Sequence, residues 1–190
     1  MSFPHYTSAS HDDRMTNVQI RHACEADLPA LLDIYNYYVA HTHITFDVEQ
    51  RTIADRTAWF SQFAKAGRYQ CFVAEDGGKV IGWASSSKFK DRAAYDTSVE
   101  TTVYLSPGEA GKGLGSLLYC ALFSALAGED VHRAYGGIAS PNPASVRLHE
   151  KMGFERVAKY REVGCKFGRF WDVEVYERAV AKGLATAGCP

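Results

Sequence analysis

The chain has no C-x-x-C pair, no long apolar run, and no surplus of charge of either sign. Each absence excludes something. Its five cysteines (Cys24, Cys71, Cys120, Cys165 and Cys189) are odd in number and scattered. That argues against a zinc site or a disulfide framework and for free thiols in a reducing compartment. His41 and His43 alone do not make a metal site, so no metal is expected. No stretch approaches the roughly 18 apolar residues that span a bilayer, and the polar opening lacks a signal-peptide core. Lysine and arginine number 21 against 22 aspartates and glutamates, interleaved throughout, which speaks against a nucleic-acid surface. The reading is of a cytoplasmic protein with neither membrane nor nucleic acid as partner.

What is present suffices for one domain: the 190 residues are 46% hydrophobic, and a chain of that size buries about 70% of its unfolded surface. Residues 1–16 lack periodicity and read as an N-terminal arm, residues 17–180 as the domain, and residues 181–190 as a tail. Within the domain, Val18 to Arg21 suggests a strand. Asp27 can cap a helix carrying Leu28, Leu31, Leu32 and Tyr35 on one stripe. Thr52 and Asp55 resemble a capping box for a second helix through Trp59, Phe60 and Phe63, stopping at Gly67. Asp76-Gly77-Gly78 reads as a hairpin between two strands. A fourth strand ends at Leu105, and a glycine-rich turn opens a helix over residues 116–127. A fifth strand ends at Ser140, followed by a helix that closes at Gly153. Two last strands flank an expected loop from Gly164 to Arg169. The order β-α-α-β-β-β-α-β-α-β-β implies an α/β (α+β) fold, a mixed sheet of six to seven strands with helices on both faces.

Glycines at 111, 113 and 115 let backbone approach a ligand, and the helix that follows aims free N–H groups at the same spot. Lys112 adds positive charge. Together these suit a diphosphate. A Rossmann fingerprint would end its next strand in an acidic residue, whereas Glu129 and Asp130 precede that strand. A P-loop would need Ser or Thr after Lys112, and Gly113 stands there.

Gly111-Lys112-Gly113-Leu114-Gly115 resembles the acetyl-CoA loop of the GNAT N-acetyltransferases. Further segments resemble the phosphinothricin and methionine sulfoximine branch of that family: Ala94-Tyr95-Asp96, Glu100 to Ser106, Pro141-Asn142 with Ser145 to Glu150, and Lys166 to Arg169 with Asp172. The resemblance spans Ile20 to Tyr176. It implies a GNAT fold and acetyl-CoA as co-substrate, held by Val103, Tyr104, Leu105, Ala110, Gly111, Lys112, Gly113, Leu114, Gly115, Ser116, Asn142 and Ser145. It also implies a homodimer paired through the late strands, and a link to herbicide resistance. Two positions depart from the pattern. Ala110 stands where relatives have Gln or Arg, removing one phosphate contact, and Phe170-Trp171 replaces the usual Trp followed by a varied residue.

Acetyl transfer to an amine needs a base for the ammonium proton and a proton for the departing thiolate. Glu100 lies five residues before Leu105, about 17 Å at strand rise, which is comparable with an extended pantetheine arm. It is therefore the expected general base. His149, where many relatives carry Tyr, is the second candidate, either as acid or as substrate contact. Asn142 caps its helix and, by resemblance, bonds the pantetheine. A small amino acid with a polar head would call for cations and an aromatic wall. Lys90, Arg92, Lys166 and Arg169 supply the first, with Tyr95 in the same loop as Lys90 and Arg92, and Phe46 supplies the second. The expected reaction is direct acetylation of an α-amino group. Its rivals are acetylation of a polyamine or a protein N-terminus, and a sensor that binds acyl-CoA without turnover.

Overall fold

A computed structural model describes residues 17–180; the expected arm and tail lie outside the described residues. The elements run β1 (Val18–His22), α1 (Leu28–His41), α2 (Ile53–Phe60), β2 (Cys71–Asp76), β3 (Lys79–Lys88), β4 (Ser98–Leu105), α3 (Leu114–Leu126), β5 (Arg133–Ser140), α4 (Pro143–Lys151), β6 (Glu155–Lys166) and β7 (Arg169–Ala179). They form one seven-stranded sheet of order β1-β2-β3-β4-β5-β7-β6. Only β4 and β5 run parallel, joined by α3 as crossover.

Alternation along the inner strands decides which helix covers which face. Phe72, Ala74 and Ile81 pack with α3, whose Leu114, Leu118, Leu122 and Leu126 recur every fourth residue. Each such burial contributes about 1.5–3 kcal/mol. Cys71, Val73, Val80 and Trp83 point the other way, against Leu31 and Ile34 of α1 and Trp59 of α2. Helices therefore cover both faces, as expected.

Four local expectations need correction. The Asp27 side chain does not cap α1: it takes two bonds of 2.7 Å from Arg21 and accepts from the Cys24 amide, closing a short 3-10 turn ahead of the helix. Helix α2 does form the Thr52–Asp55 capping box but ends at Phe60. The loop expected from Gly164 to Arg169 is mostly strand. Lys166 pairs with Arg169 across a two-residue turn in which Phe167 (φ 54°) and Gly168 (φ 69°) are both left-handed. That is the hairpin geometry whose twist matches paired strands, reached without the usual Asn at its first position. Cys24, Cys71 and Cys165 are free thiols, whereas Cys120 is disulfide-bonded, contrary to the expectation for all five. Among the described residues no helix is long and apolar enough to cross a membrane.

Candidate active site

Strands β4 and β5 pair only from Ser98–Arg133 to Glu100–Tyr135, although β4 continues to Leu105 and β5 to Ser140. Beyond Glu100 they part. The gap opens a groove of about 830 Å³ that runs from Glu100 along β4 to the glycine turn. On the other side of β4 every residue from Val99 to Leu105 is paired with β3. The edge facing the groove thus keeps unpaired N–H and C=O groups, which an extended ligand can engage as an added strand would.

At one end stands the glycine turn. Gly111 (φ 82°) and Gly113 (φ 84°) are left-handed, and a Cβ on either would stand in open space, with nothing within 4 Å. Among the described residues the amides of Gly111, Lys112 and Gly113 have no backbone acceptor, while that of Ser116 bonds the Gly113 carbonyl. The free amides of the turn make a cradle that fits an anionic diphosphate by shape and donor chemistry. Gly115 brings α3 against α4 here, since a Cβ on it would lie 2.8 Å from Leu148 Cδ2. That approach places Arg147 and Lys151 of α4 on the groove wall.

At the other end lies the Glu100 carboxyl, 3.8 Å from where a Cβ of Gly137 would sit. The side chain is exposed and lines the groove. Desolvation by the groove walls nevertheless raises its pKa above the ordinary value. A raised pKa makes the carboxylate a better proton acceptor.

Of the residues expected to hold the carrier, Val103, Tyr104, Leu105, Ala110, Gly111, Gly113, Gly115, Ser116, Asn142 and Ser145 line the groove. Asn142 also caps α4, accepting from the Ser145 amide at 3.1 Å. Two do not line it. Lys112 turns back to Glu109 at 2.9 Å, and Leu114 points into the core at 1% exposure. His149 is likewise absent from the wall. It is buried, with Nε2 3.2 Å from the Tyr119 hydroxyl and Nδ1 2.8 Å from the Ser145 carbonyl oxygen, and burial lowers its pKa. Tyr119 lines the groove in its place.

The expected acceptor residues divide in two. Phe46 lines the groove and leans on Gly164 of β6. Lys166 is buried and donates to the Thr45 carbonyl at 2.8 Å, so it anchors the Phe46 segment instead of offering a free cation. Arg169 lies over the Trp171 ring at 4.5 Å, on the hairpin. Lys90, Arg92 and Tyr95 are exposed in the loop between β3 and β4 and do not line the groove. Tyr119, Arg147 and Lys151, none of them singled out from the sequence, also line the groove. The spacing of Arg147 and Lys151 to Leu148, which packs at Gly115, is the signal that could have placed them.

A cradle for phosphates, an open strand edge and a desolvated carboxylate at the far end define a transferase that grips a carrier by its tail. The chain belongs to the acetyltransferase (GNAT) family, whose model matches residues 31–154, and it is an N-acetyltransferase. It is 54% identical over 163 residues to a phosphinothricin N-acetyltransferase of Streptomyces coelicolor, covering 85% of this chain and 95% of the relative. An L-methionine sulfoximine/L-methionine sulfone acetyltransferase of Pseudomonas paraeruginosa is 37% identical over 158 residues, covering 83% of this chain and 91% of the relative. Among solved structures, a phosphinothricin acetyltransferase from Sinorhizobium meliloti in complex with AcCoA superposes with a TM-score of 0.82 at 32% identity, covering 90% of this chain and 92% of that one.

Proposed function

We propose that the protein transfers the acetyl group of acetyl-CoA to the α-amino group of a small amino acid of the phosphinothricin, methionine sulfoximine or methionine sulfone kind. One observation carries the reading: Glu100 sits where β4 and β5 part, at the end of the groove opposite the glycine cradle. Acetyl-CoA, when bound, supplies a thioester.

The amides of residues 111–115 hold the diphosphate, Arg147 and Lys151 offset its charge in place of the side chain missing at Ala110, and the open edge of β4 aligns the arm. Glu100 takes the ammonium proton, so that the free amine attacks the thioester carbonyl carbon. A C–N bond forms, the C–S bond breaks, and the thiolate takes up a proton. No acyl-enzyme is needed. Burial pushes the Cys71 thiol up to about 12, which leaves it inert as a nucleophile. His149 acts as a positioning residue for Tyr119.

The loop bearing Lys90, Arg92 and Tyr95 leaves β3 at Lys88 and rejoins β4 two residues before Glu100, within reach of an acceptor held there. Acetyl-CoA as co-substrate suits a cytoplasmic enzyme, and acetylating phosphinothricin would give herbicide resistance. A homodimer paired through β6 is part of the same reading. β6 is an edge strand with Val157, Tyr160 and Val163 exposed, and such an edge invites pairing.

A thiol-release screen over amino acids, phosphinothricin and methionine sulfoximine and sulfone included, tests the reading. Thiol release with a peptide but with none of the amino acids would sink it.

A further inference from the structure

On the sheet face covered by α1 and α2 lies a second cavity, of about 400 Å³, that shares Thr102 and Tyr104 with the groove. Arg56 reaches it from α2. It is only 4% exposed. Its guanidinium carbon stands 4.6 Å from the Tyr35 ring, 4.4 Å from Trp59 and 5.5 Å from Trp83. Rings are what surround it; its Nε has no hydrogen-bond partner. The indole Nε1 of Trp83, which is 2% exposed, has none either.

The nearby carboxylates are committed elsewhere. Asp47 takes two bonds from Arg51 and one from the Tyr35 hydroxyl, and Asp55 serves the Thr52 cap. A buried charge is ordinarily paired, and ring faces compensate a desolvated guanidinium only in part. Two unpartnered donors on one cavity, with Ser85, Ser87 and Thr102 also lining it, suit a ligand that is negative and only accepts.

We propose that this cavity is an oxyanion subsite that takes the acidic head of the acceptor, a carboxylate or phosphinate at the end of its side chain. The proposal rests on the amino-acid acetyltransferase reading and extends it. Ser87 pairs with Glu100, Ser85 with Thr102 and Trp83 with Tyr104, so Glu100 and the cavity share one strand face. From Glu100 to Tyr104 is four residues, about 13 Å along β4, and Arg56 stands toward the Tyr104 end, beside Trp83. The α-carboxylate, two bonds from the reacting amine, stays by Glu100. The head group is what travels past Thr102.

Trp59 and Trp83, two of the three tryptophans in the chain, line the cavity and report on it directly. The intact protein is titrated with phosphinothricin, with norleucine, which lacks the oxyanion, and with inorganic phosphate, following tryptophan fluorescence. Phosphinothricin should give a saturable change that Arg56→Met weakens roughly tenfold to a hundredfold, the loss of one charge-assisted bond. Arg56→Lys should fall between, and norleucine should bind wild type and Arg56→Met alike. Phosphate, which lacks the amino-acid end, should compete only at far higher concentration. Equal phosphinothricin affinity in wild type and Arg56→Met overturns the proposal. Binding of phosphate without phosphinothricin overturns it too, giving the cavity to a free anion. Calorimetry with acetyl-CoA checks that each variant folds, and Trp83→Phe, which removes the Nε1 donor together with part of the indole ring, carries the comparison should Arg56→Met not fold. Phosphinothricin bound through Arg56 but never acetylated would sink the functional reading alone.

Discussion

The Tyr119 hydroxyl donates to Nε2 of His149 at 3.2 Å, because Nδ1 of that ring faces the Ser145 carbonyl oxygen at 2.8 Å and must itself carry the proton. A carbonyl only accepts, which fixes the tautomer. Burial keeps the imidazole neutral. The pair ties α3 to α4 directly behind the groove wall.

Tyr119→Phe should therefore leave a buried acceptor unpaired and cost about 1–3 kcal/mol, read as a lower urea midpoint at unchanged slope. The sign of the pH effect follows from the lowered pKa. Unfolded chains take up a proton at His149 as pH falls below about 6.5, and the folded state resists it. Stability should drop across that window in wild type, and His149→Gln should lose this part of the drop. An identical acid slope in both would rule out a neutral buried imidazole.

Glu100 couples catalysis to stability in the opposite sense. Its folded pKa lies above the ordinary 4.5, so ionising it costs folding free energy as pH rises through that value. Glu100→Gln should be at least as stable as wild type at pH 7, with the difference gone below pH ~4.5. The same variant should lose roughly 10²–10⁴-fold in kcat while binding acetyl-CoA with little change. The acid limb of its kcat/KM profile should vanish. A Gln variant with wild-type turnover would remove Glu100 from the chemistry.

Phe46 lies so close to Gly164 that a Cβ there would sit 2.3 Å from Phe46 Cε2. Gly164→Ala should push the ring off β6 and into the groove, raising KM for the acceptor several-fold. Phe46→Ala in the same chain should relieve the clash but not restore the wall. Calorimetry with acetyl-CoA separates the effects, since the cradle lies at the other end. An acceptor KM that does not move would show that Phe46 is no part of the acceptor wall.

Most of the frame was legible because the signals are local. Asp76-Gly77-Gly78, the Thr52 capping box and the leucine spacing of α3 each carry their geometry in a few residues. The glycine turn was legible for the same reason. What the sequence hid depends on where side chains meet. Lys166 looks like a free cation until its strand lies against the Thr45 carbonyl, and Lys112 until the turn brings Glu109 back to it. Arg56 sits in an ordinary amphipathic helix, and only the packing of α2 on Trp83 makes it a buried charge. The 164–169 stretch read as loop because Phe167 is a poor left-handed residue, and strand pairing on both sides overrides that preference.

The hairpin closed by Phe167 also tests the assembly. β6 ends the sheet over 12 residues, and Val163, Phe167 and Phe170 are 58%, 61% and 61% exposed. In an isolated chain these side chains would stand in water among the charges of β6, and pairing two copies would cover them. Phe170→Asp should put a charge on that surface and shift sedimentation from dimer to monomer. Phe167→Asn should act on the turn, removing left-handed strain of roughly 1 kcal/mol and raising the melting temperature. If Phe167 also contributes to pairing, Phe167→Asn should weaken association while the monomer becomes more stable. The two effects are separable, because melting of a dimer depends on protein concentration and the turn strain does not. A wild-type chain that sediments as a monomer at every concentration would refute the pairing outright.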